Sequence, residues 1–239
     1  IPVAPDSPQE DEIALANMTA VSFYHGIYFP SAFEEFVRRG VFFDGCSDAD
    51  IREWRSRFTY LLRKLSKLQD GRRLLIKNPV YTARLDLLRE IFPRAKFVHI
   101  ERSPYAVFQS MRNFYRKLFA EFALQPYDHV DVDETIFSVY ERMMDKLAAD
   151  ARGLTAPNYV ELRYEELDRD GLGALQKIYE ALELPRFDAA RDRFAAYLAS
   201  VSDFEKNRFD YPEADARKVE ERLGRFIERG GYRRPGAVQ

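Results

Sequence analysis

Three short apolar runs each end in or beside a cation and then give way to a segment of helical period. The runs are Leu74–Lys77 (LLIK), Lys96–Glu101 (KFVHIE) and Tyr159–Arg163 (YVELR). Aliphatic and aromatic runs this short, without helical spacing, read as strands. Leu85, Leu88, Ile91 and Phe92 follow the first, a segment from Ser103 to the Phe119–Phe122 region follows the second, and Leu172, Leu175, Ile178 and Leu182 follow the third. Strand–helix alternation of this kind demands crossover connections, and therefore a parallel sheet flanked by helices. The fold class expected is α/β, helix-rich, with about three strands.

The remaining segments read as helices. One is expected from Gln9, through Ile13, Leu15 and Met18, and another from Ser31 to Arg39. Ser47 or Asp48 can cap a long helix with Trp54, Phe58, Leu61, Leu62, Leu65 and Leu68 on its apolar face, ended by Gly71. Ile136, Tyr140, Met143, Met144 and Leu147 mark another between strands two and three. The C-terminal part is helical over Asp188–Leu198 and Ala214–Ile227, stopped at Gly230-Gly231. With 239 residues, no repeat and no linker, a single domain over 1–239 is expected.

Composition narrows the functional classes. A 46% hydrophobic chain with 19 Phe and 14 Tyr can bury a core, which excludes wholesale disorder. Its 37 basic and 39 acidic side chains provide no global pull toward nucleic acid or membrane. One cysteine, Cys46, excludes a disulfide framework and a multi-cysteine metal site, and no metal is expected. No apolar run reaches the ~18 residues of a membrane span, and no charged-then-apolar leader opens the chain. A cytoplasmic protein with no membrane partner is the expectation, although the chain opens at Ile1 without a methionine.

In an open parallel sheet, ligands bind beyond the carboxyl ends of the strands. Those ends carry Lys77-Asn78-Pro79, Arg102-Ser103-Pro104 and Arg163-Tyr164, a cation at each, which suits an anionic ligand. Ser103 can cap the next helix and Pro104 suits its first turn, so free N–H groups there would face an anion. Ser110 follows Ser103 by seven residues, about two turns, and shares its face. Arg102 and Ser110 together can close on one phosphate. An Arg102 paired with a surface carboxylate and a solvated Ser110 account for the spacing equally well.

Residues 74–111, LLIKNPVYTARLDLLREIFPRAKFVHIERSPYAVFQSM, resemble the core of the sulfotransferase family, closer to its tyrosylprotein, carbohydrate and bacterial branches than to its cytosolic branch. The resemblance implies a P-loop-like nucleotide-binding fold and 3′-phosphoadenosine 5′-phosphosulfate as sulfuryl donor, with adenosine 3′,5′-bisphosphate as product. It implies that Arg102 and Ser110, eight residues apart, hold the 3′-phosphate, and that Lys77 is the catalytic lysine. YVELRYEEL (159–167) is similar to the family's element near the adenine, which implies a nucleotide contact for Tyr164. Lys206, Asn207 and Arg208 occupy the place of the late basic loop that folds over the nucleotide. Sulfuryl transfer asks mainly for in-line positioning and charge neutralisation, and a compact lysine cation is suited to that.

The chain also departs from the family. Where the cytosolic branch places a histidine base after the lysine, this sequence has Pro79 and Tyr81. The acidic cluster Gln9-Glu10-Asp11-Glu12 offers carboxylates instead, with Glu10 the first candidate base and Asp11 the second. Acidic residues in a first helical turn also complement the helix dipole. His25 and His99 read as packing or structural residues. Phe23, Tyr24, Tyr28, Phe29 and Phe33 wall either an acceptor pocket or a core. No Gly/Ser/Thr-rich loop with a lysine precedes Lys77, so the expectation is a domain without its N-terminal strand and phosphosulfate cradle.

The leading expectation is an enzyme moving a sulfuryl group onto a hydroxyl or amine. One alternative is a non-catalytic fragment or relative that binds the nucleotide or a partner. Another is an anion- or nucleic-acid-binding module using Arg52, Arg55, Arg57, Arg63, Lys64, Lys67, Arg72 and Arg73, a run with few acids.

Overall fold

The computed structural model describes residues 9–205 and 209–236. Its two strands, β1 (Phe97–Glu101) and β2 (Tyr159–Arg163), pair in parallel with Phe97 opposite Tyr159 and Glu101 opposite Arg163. The helices that precede β1 are α1 (Asp11–Ala16), α2 (Tyr24–Tyr28), α3 (Phe33–Phe42), α4 (Asp48–Leu68) and α5 (Leu85–Ile91), with 3-10 turns at Pro30–Ala32 and Pro79–Ala83. The crossover from β1 to β2 uses α6 (Pro104–Phe122) and α7 (Val132–Asp150). After β2 come α8 (Tyr164–Arg169), α9 (Gly171–Ala181), α10 (Phe187–Ser200) and α11 (Glu213–Gly230).

The expected strand at Leu74–Lys77 is not one: it runs without ladder hydrogen bonds, and the sheet of the described residues has two strands. An extended run becomes a strand only when a neighbour pairs with it, and none of the described residues does so. Its side chains still alternate as in an extended chain, since Leu74 and Ile76 pack inward while Leu75 is 98% exposed.

Local signals explain most boundaries. Ser47 caps α4 in a reciprocal capping box with Asp50. Gly71, at φ +71°, donates its N–H to the Ser66 carbonyl and closes the helix in the left-handed region that glycine enters without strain. Gly231 ends α11 in the same conformation. Two expectations shift. The first helix starts at Asp11, leaving Glu10 as its N-cap. Ser103 precedes α6 but makes no side-chain cap; its N–H donates to Glu165 Oε1 at 3.1 Å.

Two apolar clusters form the interior. The larger gathers α2, α3, α6, α7 and α11 around Phe33, Phe108, Phe137, Val219 and Phe226, and the smaller joins α1, α4 and α5 around Leu15, Trp54, Phe58 and Leu88. Tyr81 and Phe97 pack against both, so the clusters meet at the turn after Lys77 and at the start of β1.

Above the larger cluster, Arg112 of α6 binds Asp133 of α7 through two nitrogens (2.8 and 2.6 Å) and Asp215 of α11 at 2.6 Å. Its guanidinium also lies over Phe108, 4.4 Å from the ring centre. Burial pushes both carboxyls up, but Arg112, joined by Lys218 at Asp133 and by Gln109 at Asp215, outweighs it and holds both below the ordinary aspartate value of 3.8. A carboxyl lowered in the folded state stabilises above its unfolded pKa and loses that contribution as pH falls through the folded one. Stability should therefore drop below about pH 4, and Asp133→Asn should flatten that acid limb, measured by urea midpoints at a series of pH values.

Candidate functional site

The extended segment after Arg73 delivers Lys77 and Asn78 to one end of the molecule, and the N-terminal turn meets them there. Lys77 Nζ is ion-paired with Glu10 Oε1 across 67 residues of sequence. The lysine remains 76% exposed, so its charge faces solvent on the side away from Glu10. Asn78, buried, donates from Nδ2 to Asp11 Oδ1 (3.0 Å) and to Glu12 Oε2 (3.3 Å), while its Oδ1 accepts from Val80 N–H (3.1 Å) and starts the 3-10 turn. That turn brings the Tyr81 hydroxyl onto Asp11 Oδ2.

Arg84, 1% exposed, lies beneath this layer. It donates to the carbonyls of Gly40 and Val41 at the end of α3, where unpaired carbonyls and the negative end of the helix dipole receive a cation. Its guanidinium lies between Phe43 (4.4 Å) and Trp54 (4.7 Å) and faces Glu12 Oε2 at 4.0 Å. Gly40 also lets α3 pack directly on the backbone of Ser22 and Phe23, since a Cβ there would stand 2.1 Å from Phe23 N.

Burial raises the carboxyls of Asp11 and Glu12 above their ordinary values, against the pull of Tyr81 and Asn78 on Asp11 and of Arg84 and Ser22 on Glu12. Burial and the nearby Glu10 and Glu12 push the Tyr24 hydroxyl up to about 12, so it stays protonated beside the acids. Outward from Tyr24, the Tyr28 ring lies 5.9 Å from Phe122, and the Leu124 N–H donates to the Tyr28 carbonyl. Tyr28, Phe29, Phe122 and Leu124 are 38–70% exposed and form an apolar rim. Phe33 is core, 2% exposed. His25 is a packing residue, bonded to the Ala16 carbonyl and edge-on to Phe36, and His99 pairs with Glu161 at 3.2 Å.

A second set of expected residues gathers where β1 and β2 end side by side. Arg102 stacks on Tyr164 at 4.5 Å and has no carboxylate partner among the described residues. Ser110, half-buried in α6, makes no side-chain hydrogen bond to Arg102 or to any other described residue. Arg163 turns the other way, over the Tyr232 ring at 5.4 Å. Lys206, Asn207 and Arg208 lie outside the described residues. A surface cavity of about 250 Å³ lies elsewhere, lined by Glu35, Arg38, Arg39, Asp44 and Gly45. No group of acids, histidines and cysteine among the described residues could hold a metal ion.

Sequence reasoning reached Glu10, Asp11 and Lys77 but missed Glu12, Asn78, Tyr81 and Arg84 as parts of one network. Asn78 and Tyr81 flank the lysine and were legible as neighbours. Arg84 carried no signal, because its partners come from Gly40, Val41 and Glu12, far off in sequence.

Residues 41–189 match the profile of the sulfotransferase family. Over 232 residues the chain is 30% identical to the omega-hydroxy-beta-dihydromenaquinone-9 sulfotransferase Stf3 of Mycobacterium bovis and, equally, to that of Mycobacterium tuberculosis. The match covers 95% of this chain and 58% of those relatives, so the chain spans little more than half their length. In structure it resembles sulfotransferase STF9 of Mycobacterium avium (TM-score 0.71, 17% identity, 95% of this chain and 57% of that one). It also resembles STF1 of Mycobacterium tuberculosis H37Rv (TM-score 0.64, 17% identity, 92% and 56%).

The Arg84–Glu12 pair yields a sharp test. Arg84→Met leaves Glu12 buried without its cation and should cost about 3–5 kcal/mol of unfolding free energy. Adding Glu12→Gln should recover a large part of that loss, read from urea unfolding of the three proteins.

Proposed function

The chain belongs to the sulfotransferase family, and we propose that it moves a sulfuryl group from 3′-phosphoadenosine 5′-phosphosulfate to a hydroxyl on an apolar acceptor. The observation that carries this reading is the Lys77–Glu10 pair, a solvent-facing cation and a carboxylate held in contact from opposite ends of the same network. In-line transfer needs both: a cation where negative charge develops and a base that takes the acceptor's proton.

The residues present fit one end of the donor. Arg102 has no carboxylate partner among the described residues, lies over the Tyr164 ring and sits at a strand end before the N-terminus of α6. This is a place for a phosphate beside an aromatic platform for a base. When bound, the donor supplies the activated sulfuryl group. Lys77 would neutralise the oxygens that gain charge, and Glu10 would receive the acceptor's proton. Both Asp11 oxygens are engaged, by Asn78 and Tyr81, so Asp11 acts by positioning the turn that carries Glu10. The aromatic row from Tyr24 through Tyr28 to Phe122 would take the acceptor's apolar body. The mycobacterial relative named for an omega-hydroxy menaquinone acceptor supports the choice of a hydroxyl on an apolar skeleton over an amine.

The reading is tested with the full-length protein, radiolabelled donor and a long-chain primary alcohol. Lys77→Ala should lower the transfer rate about a hundredfold or more while leaving the affinity for adenosine 3′,5′-bisphosphate unchanged. Arg102→Ala should weaken that nucleotide about 10- to 100-fold by calorimetry. Equal transfer by the wild type and Lys77→Ala would refute the assignment of the lysine. Nucleotide binding indifferent to Arg102 would refute the donor site.

A further inference from the structure

The outer face of α4 and the turn that follows it carry a charge separation that the sulfotransferase reading does not use. Between residues 52 and 73 there are eight basic and two acidic side chains, in a chain with 37 and 39 overall. Two of the eight are paired, Arg55 with Glu90 and Arg57 with Glu53. Arg52, Arg63, Lys64, Lys67, Arg72 and Arg73 are exposed and have no carboxylate partner among the described residues. The face opposite, with Trp54, Phe58 and Leu62, is buried, which fixes the direction in which these cations point.

Apolar side chains are interleaved with the cations. Tyr60 is 54% exposed and Leu68 77% exposed, and Lys64 lies 5.6 Å from the centre of the Tyr60 ring. Lys64 lies four residues from both Tyr60 and Leu68 and three from Lys67, so it neighbours all three on the outer surface of α4. Leu68, the last residue of α4, leaves an apolar side chain in solvent beside these cations. Phosphates alone would reward the cations only, whereas an anionic bilayer rewards both, with headgroups for Lys and Arg and the acyl boundary for Leu and Tyr. Cations with exposed apolar side chains among them suit the surface of an anionic bilayer, and no helix of the described residues is long and apolar enough to cross a membrane.

We infer that the 52–73 surface is a peripheral docking site for anionic phospholipid membrane. The extended segment from Arg73 to Lys77 spans about 13 Å, so Lys77 lies within that distance of the last cation of this surface. The inference rests on charge pairing and exposure along α4 and does not depend on the transfer chemistry.

The experiment is co-sedimentation with vesicles of phosphatidylcholine alone and of phosphatidylcholine with one-third phosphatidylglycerol, next to titration of a fluorescent duplex oligonucleotide. The protein should sediment with the anionic vesicles and not with the neutral ones, and added salt should release it. Arg63→Gln/Lys64→Gln/Lys67→Gln should weaken the anionic-vesicle association roughly a hundredfold, about fivefold per charge. Tyr60→Ser/Leu68→Ser should weaken it about tenfold without changing whatever affinity the oligonucleotide shows. All five positions are on the outer surface of α4, and unchanged thermal unfolding would confirm that each variant is folded. No association with anionic vesicles would overturn the inference. Association that the double serine variant leaves intact and the oligonucleotide matches would also overturn it, and would reassign the surface to nucleic acid.

Discussion

The buried Arg84 guanidinium is the contact on which the geometry of the candidate centre depends. It ties the carbonyls ending α3 to Glu12 of α1 and is enclosed by Phe43 and Trp54. Taking a cation and two carboxylates out of water is costly, and carbonyls, Asn78, Ser22, Tyr81 and two aromatic faces offset much of that cost, although Arg84 Nη1 and Glu12 Oε1 have no hydrogen-bond partner among the described residues. Asn78 serves both acids, Ser22 supports Glu12 and Tyr81 supports Asp11. The outcome is positional: the N-terminal turn cannot drift from the segment that ends in Lys77 without leaving charges buried and unpaired.

That arrangement separates structural from chemical roles among adjacent acids. Glu12 is completely buried and faces Arg84, Asp11 is engaged at both oxygens, and Glu10, at the N-cap, reaches the exposed lysine. Three consecutive carboxylates thus run from the interior to the surface, each with its own partner. The network also lies where the two apolar clusters meet, since Tyr81 packs against both and bonds Asp11. Packing and site geometry share this one residue.

The parts legible in the sequence were the local ones. The cation-bearing ends of β1 and β2, the Ser47 cap, the glycine stops and most of the apolar face of α4 follow from short-range pattern and are kept, while Leu68, expected on that face, is 77% exposed at the end of the helix. The Leu74–Lys77 run shows where pattern fails: a short apolar run marks an extended segment, but a ladder also needs a partner, and no local signal reports one. Ser103 misled in the same way, because its capping place was clear while the Glu165 carboxylate that meets its N–H lies 62 residues away. Arg84 and Glu12 were illegible for the same reason. A buried charge is recognised by what surrounds it, and the surroundings come from three separate segments.

The central claim is that Glu10 and Lys77 are held in contact on this network, and zero-length carbodiimide coupling reads that contact directly. Treatment of the native protein, followed by peptide mass spectrometry, should capture an amide bond between the Glu10 carboxylate and the Lys77 amine as a leading cross-link. Arg84→Met/Glu12→Gln should suppress it while cross-links within α7 and α11 persist. Glu10 coupling to other lysines, with Lys77 left unjoined in the native protein, would contradict the account.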